Sequence, residues 1–113
     1  MAFPGNWTLY YDWGCDGSYS STPMTVAPAG TWTNGEGGNG PWVQGAGMIT
    51  FQFNGSKTTY SGNLASKSVT GIMSTFGGLN GCFYMLQAGA PHIAAVVEHV
   101  RVKGKPDAAG GNS

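Results

Sequence analysis

Charged residues are scarce in this chain: Asp, Glu, Lys and Arg make up 9% of its 113 residues, and five acids balance five bases. A soluble domain usually carries about a quarter of its residues as charged side chains. Without a basic surplus, the chain lacks the charge that neutralises a phosphate backbone. The composition therefore argues against nucleic acid as a partner.

Long apolar runs are also missing. No stretch approaches the roughly 20 apolar residues of a membrane-spanning helix, so we expect no membrane span. The first residues, Met-Ala-Phe-Pro-Gly, lack the positive and apolar regions of a signal peptide. A cytoplasmic chain and the mature form of a secreted or periplasmic chain both remain open.

Cysteine occurs only as Cys15 and Cys82, each beside a turn at the end of a strand-like segment. Such a pair predicts one disulfide, which would close a long loop and stabilise the fold by several kcal/mol. A bridge would indicate a secreted or periplasmic protein, whereas two free thiols would indicate a cytoplasmic one.

Short segments that alternate between apolar and polar residues make up most of the chain. In the stretch GNWTLYYDW, alternation places Trp7, Leu9, Tyr11 and Trp13 on one face. Asn-Gly and Asp-Gly pairs separate many of the segments, and these pairs favour hairpin turns. The spacing of roughly 10–12 residues between segments is typical of a sandwich or a barrel.

We predict an all-β fold, an antiparallel up-and-down β-barrel of about eight strands, because closure protects the edges of such an uncharged sheet. The barrel domain is expected to span residues 1–105, with its last strand at 95–103. Residues 106–113 are expected to form a flexible C-terminal tail.

Residues 35–40, Gly-Glu-Gly-Gly-Asn-Gly, match the dinucleotide-binding pattern G-x-G-x-x-G letter by letter. That pattern binds phosphate only between a strand and a helix, and here another strand-like segment follows. We therefore predict a hairpin loop, and no cofactor is indicated. Asp12 and Asp16 supply too few oxygens for calcium, so no metal site is expected either.

Gly5-Asn6-Trp7 on the first predicted strand and Arg101 on the last resemble the calycin pattern of lipocalins and avidin-like proteins. In those families, a Trp on the first strand closes one end of the barrel beneath a basic residue from the final strand. The resemblance implies that Trp7 packs against Arg101.

Aromatic residues supply the candidate ligand site. The inward faces of a closed barrel converge on its axis, and rings with hydroxyl groups suit a small ligand. By alternation, the predicted lining is Tyr11, Trp13, Tyr60, Tyr84 and Glu98. Glu98 shares a face with three valines, where a buried carboxylate needs a partner. If the faces of that strand are reversed, Glu98 is exposed instead.

Three functions remain open at this point. The leading hypothesis is a calycin-type barrel that binds a small apolar or aromatic ligand. The first alternative is a structural protein that self-assembles into a homo-oligomer or binds a partner. The second is a small barrel enzyme of cyclase or isomerase type that shapes an apolar substrate. The sequence favours a role without catalysis, and it identifies no catalytic residue.

Overall fold

The computed structural model describes residues 2–89 as an antiparallel barrel of eight strands, each paired with its sequence neighbours. The strands are β1 (Gly5–Trp13), β2 (Ser20–Val26), β3 (Thr31–Asn34), β4 (Asn39–Gly45), β5 (Met48–Gln52), β6 (Thr59–Ala65), β7 (Ser68–Ser74) and β8 (Asn80–Gln87). The predicted fold class is confirmed. Within residues 2–89, no helix is long and apolar enough to cross a bilayer.

The barrel closes through β1, which pairs with β2 along one edge and with β8 along the other. Because both edges of β1 are occupied, the strand that closes the described barrel is β8. The predicted last strand is the segment 95–103. That segment lies outside the described residues, as do Glu98, Arg101 and the predicted tail at 106–113.

Alternation along each strand fills the middle of the barrel with apolar side chains. Trp7 and Leu9 on β1 are 3% and 1% exposed, and Leu9 pairs with the fully buried Met85 on β8. The buried cluster consists of Phe3, Trp7, Leu9, Met24, Val26, Trp32, Ile49, Phe51, Tyr60, Leu64, Val69, Met73, Phe83 and Met85.

Two glycines on the inner face make room for this cluster. Gly62 on β6 pairs with Gly71 on β7, which in turn pairs with Phe83 on β8. A Cβ atom on Gly71 would overlap the backbone of β6. With no side chains at these positions, the Phe83 ring reaches Tyr60 and Phe51, at centroid distances of 5.0 and 5.9 Å.

The N-terminal segment closes one end of the barrel. Phe3 is fully buried there, and its ring centroid lies 5.6 Å from that of Trp7 and 5.4 Å from that of Trp42. The indole N–H of Trp7 donates to the Phe3 carbonyl oxygen at 2.8 Å. Trp7 therefore lies at a closed end, whereas its predicted partner Arg101 falls outside the described residues.

Candidate functional site

The end of the barrel opposite Phe3 holds an open cavity of about 230 Å³. It lies where β1 ends and β2 and β6 begin, beneath the loops that join β3 to β4 and β5 to β6. Leu9 contributes to the lining from within the barrel. The aromatic part of the lining is Tyr11, Trp13, Phe53 and Tyr60, and the polar part is Thr22, Asn34, Glu36 and Thr58.

The four rings of Tyr11, Trp13, Phe53 and Tyr60 form an aromatic wall that runs from the core to the surface of the barrel. Tyr60 is 3% exposed and stacks on Phe51 at a centroid distance of 4.7 Å. Phe53 lies 5.9 Å from Tyr60 and packs edge-on against Trp32 at 4.8 Å. Trp13, at the outer end of β1, is 37% exposed. The deeper rings are therefore fixed by core packing, while Trp13 lies at the opening.

The loop between β3 and β4 places one carboxylate, that of Glu36, beside these rings. The Asn34 side-chain oxygen accepts hydrogen bonds from the backbone N–H groups of Glu36 and Gly38, at 2.9 and 2.8 Å. The N–H of Gly35 donates to the Pro23 carbonyl oxygen at 2.9 Å, which ties the loop to β2. Gly37 adopts the left-handed region at φ +88°, which favours glycine. The sequence prediction of a hairpin loop here is confirmed.

Gly38 brings this loop into contact with the aromatic wall. A Cβ atom at Gly38 would lie 2.7 Å from the Phe53 ring and 2.8 Å from the side chain of Asn34. Only a residue without a side chain therefore allows Phe53 and Asn34 to hold their present positions.

Tyr11 and Tyr60 are neutral hydrogen-bonding groups in this cavity. Burial raises the pKa of Tyr11, and the hydrogen bond to Glu36 and its charge add to the rise against an opposing contribution from Ser20. Burial is also the main cause that raises the pKa of Tyr60, with Tyr11 and Glu36 adding to it. Both phenols therefore stay protonated at neutral pH.

Three of the predicted site residues, Tyr11, Trp13 and Tyr60, lie together in the cavity lining. Tyr84 does not, and its predicted position is corrected here. Tyr84 pairs with Tyr10 on the outer face of the barrel, where their rings stack at 4.6 Å. The inward positions of β8 belong to Phe83 and its alternate neighbours. The fifth predicted residue, Glu98, lies outside the described residues.

Several lining residues were not anticipated from the sequence. Thr22 and Thr58 are buried polar residues, 2% and 6% exposed. The sequence does contain one signal that singles out Glu36: it is the only charged residue between Asp16 and Lys57. The Gly-rich segment around it predicts only a turn, and it is the closed fold that brings Glu36 from this turn to the cavity.

Cys15 and Cys82 lie at disulfide distance, with Cα atoms 5.2 Å apart, which agrees with the predicted pair. They join the loop after β1 to β8 at the same end of the barrel as the cavity. The backbone N–H of Gly14 donates to the Asn80 carbonyl oxygen at 2.8 Å, so the two segments are also tied by their main chains.

Asp12 lies beside this bridge and is 2% exposed. Its Oδ2 accepts from the backbone N–H of Gly17 at 2.7 Å, whereas its buried Oδ1 has no hydrogen-bond partner among residues 2–89. No group of three His, Cys, Asp or Glu side chains that could hold a metal ion occurs in the described part of the chain.

No protein-family model matches this chain, and no curated protein matches it in sequence. The structure defines its class as a small, closed, antiparallel β-barrel.

Proposed function

We propose that this protein is a calycin-like barrel that binds a small ligand with an aromatic or apolar part. The observation that carries the proposal is the difference between the two ends of the barrel. Phe3 closes one end, whereas the other end keeps an open cavity of about 230 Å³ beside fixed rings. Small-molecule sites are concave and mostly apolar, with a few polar groups that orient the ligand.

The size of the cavity limits the ligand to one or two rings. A cavity of about 150 Å³ in another protein holds benzene, and sites for drug-sized ligands start at about 300 Å³. A volume of about 230 Å³ lies between these values. The rings of Phe53 and Tyr60 supply flat contact surfaces, and the Tyr60 hydroxyl and Glu36 supply polar contacts.

Isothermal titration calorimetry with indole and 2-naphthol tests this proposal. We expect saturable binding of one molecule per chain, weakened by Trp13→Ala because Trp13 forms the opening of the cavity. Trp42→Phe serves as the matched control, since Trp42 lies at the closed end and packs against Phe3. Absence of saturable binding, or equal losses in the two variants, would contradict the proposal.

The Cys15–Cys82 pair supports a secreted or periplasmic location for this binding protein, because disulfides persist in oxidising compartments. Mass spectrometry of the natural protein after alkylation under non-reducing conditions distinguishes the two cases. A bridged protein gains no label, whereas a cytoplasmic protein with free thiols gains two.

Self-association is a second candidate, favoured by the outer wall of the barrel. β4, β5, β6 and β7 contain no Asp, Glu, Lys or Arg. Val43, Met48 and Ile72 on this wall are 66%, 51% and 65% exposed. Strand pairing places Val43 and Ile72 in one cross-strand row. Exposed apolar patches of this kind often mark interfaces.

Light scattering tests self-association directly. If this wall is an interface, Ile72→Lys should convert an oligomer to a smaller particle. Thr33→Lys introduces the same charge at an exposed position on β3 and should leave the particle size unchanged. A monomeric wild-type protein at high concentration would remove this candidate.

A further inference from the structure

We infer that the ligand of this cavity is an organic cation, an ammonium group joined to an aromatic ring or a short alkyl chain. The inference rests on the proposed function and specifies its ligand class. Its basis is that Glu36, the single carboxylate of the lining, lies beside the rings of Tyr11, Trp13, Phe53 and Tyr60.

The charge of the lining is the first argument. Glu36 is its one acidic side chain, because Tyr11 and Tyr60 are phenols with raised pKa values and the other lining residues carry no ionisable group. Lys57 and Lys67, the lysines of the described residues, do not line the cavity. A cationic ligand therefore meets a carboxylate without a competing lysine in the lining, whereas an anionic ligand meets a like charge.

The acceptor capacity of Glu36 is the second argument. A carboxylate has about four positions for accepting hydrogen bonds. Glu36 is exposed, and among the described residues its carboxylate accepts one hydrogen bond, donated by the Tyr11 hydroxyl, which lies 3.1 Å from Oε2 and 3.3 Å from Oε1. Positions therefore remain for the N–H groups of an ammonium ion, and such charge-assisted hydrogen bonds are stronger than neutral ones.

The fixed backbone of the loop that carries Glu36 is the third argument. Asn34 holds the backbone of Glu36 and of Gly38, and Gly38 lies against Phe53. The carboxylate and the rings are thus parts of one connected arrangement. Aromatic faces attract cations within about 6 Å of the ring centroid, and clusters of rings bind quaternary ammonium groups in this way.

Three probes of nearly equal size test the ligand class by calorimetry: 2-phenylethylammonium, 2-phenylethanol and phenylacetate. We expect the cation to bind about tenfold more tightly than the alcohol, as a charge-assisted hydrogen bond predicts, and phenylacetate to bind most weakly. The affinity of the cation should fall with added salt, because screening weakens the charge pair.

Two variants test the assignment to Glu36. In Glu36→Gln, the affinities of the cation and the alcohol should come within about twofold of each other, since the shape is kept and the charge is lost. Asp16→Asn is the matched control, because it removes an acid from a loop at the same end that does not line the cavity. The preference for the cation should persist in this control.

The outcomes of these experiments distinguish a failure of the cation inference from a failure of the proposed binding function. Equal binding of the cation and the alcohol by the wild-type protein would overturn the cation inference and leave the binding function standing. A cation preference that survives in Glu36→Gln would overturn the role of Glu36. No binding of any of the three probes would overturn the cation inference, and the proposed function would fall with it only if indole and 2-naphthol also fail to bind. The wild-type ranking needs no variant, so it holds as a test even if Glu36→Gln fails to fold.

Discussion

The hydroxyl of Tyr11 and the carboxylate of Glu36, 25 residues apart in sequence, meet at the open end of the barrel at 3.1 and 3.3 Å. Tyr11 comes from a strand and Glu36 from a loop, so the contact joins a rigid element to the loop that reaches the cavity. It also leaves the carboxylate beside the aromatic wall.

Removing the hydroxyl in Tyr11→Phe should lower the affinity for 2-phenylethylammonium by roughly 2- to 10-fold, the range for one hydrogen bond. The reason is that Glu36 loses the group that orients it. Tyr10→Phe is the matched control on the same strand, since Tyr10 lies on the outer face. Calorimetry on both variants checks this expectation, and equal losses would contradict it.

Tyr60 and Tyr84 provide a second matched pair. Both are 3% exposed, but Tyr60 lines the cavity and Tyr84 stacks on Tyr10 outside the barrel. Tyr60→Phe should therefore weaken the binding of 2-phenylethanol, whereas Tyr84→Phe should leave it unchanged. The measurement is the dissociation constant of the alcohol, with urea unfolding to verify that both variants are folded. A loss in Tyr84→Phe alone would contradict the placement of the site.

Reduction of the Cys15–Cys82 bridge should destabilise the barrel. The cysteines are 67 residues apart, and for a loop of this length the chain-entropy model gives about 4 kcal/mol. Thermal unfolding with and without dithiothreitol checks the effect through the shift in Tm. The double variant Cys15→Ser/Cys82→Ser, which cannot form the bridge, should show no such shift. An equal shift in this variant would point to another effect of the reductant.

Asp12 should make the stability depend on pH. Burial is the main cause that raises its pKa above the ordinary value of 3.8; the Gly17 N–H opposes the rise, and the side chain of Asp16 adds to it. The folded state therefore holds this proton more tightly than the unfolded state. The resulting stabilisation is complete below about pH 3.8 and is lost as the pH rises through the folded-state pKa.

The variant Asp12→Asn has no titratable group at this position, so it should not show this loss of stability with rising pH. The difference in the free energy of unfolding, wild type minus variant, should fall between about pH 3 and pH 7. Urea unfolding at a series of pH values measures it. Parallel curves for the two proteins across this range would show that Asp12 has an ordinary pKa in the folded state.

The fold was predictable because its signals are local. Alternation places Trp7 and Leu9 inside, and the pairs Asn34-Gly35 and Asn54-Gly55 mark two of the turns. The closing strand was not predictable in this way, because β8 is apolar on both faces, whereas the valine-rich segment 95–103 alternates clearly between apolar and polar residues. Pairing with β1 decides between them, and pairing depends on the whole barrel.

The candidate site was predictable only in part. Alternation alone identified Tyr11 and Tyr60, but it gave the wrong face for Tyr84, since every residue from Gly81 to Leu86 is buried. A strand that is buried on both faces has no polar side to fix its register. Glu36 was missed because its role depends on a loop that is held by Asn34 and Pro23.

The most direct test of the binding site uses the indole N–H signals of the four tryptophans in a ¹H–¹⁵N correlation spectrum. Trp13 lines the cavity, whereas Trp7 and Trp42 contact Phe3 at the opposite end. On titration with 2-phenylethylammonium, we expect the Trp13 signal to shift saturably while those of Trp7 and Trp42 stay in place. A spectrum without saturable shifts, or with the largest shifts at Trp7 or Trp42, would contradict a ligand site at the open end of the barrel.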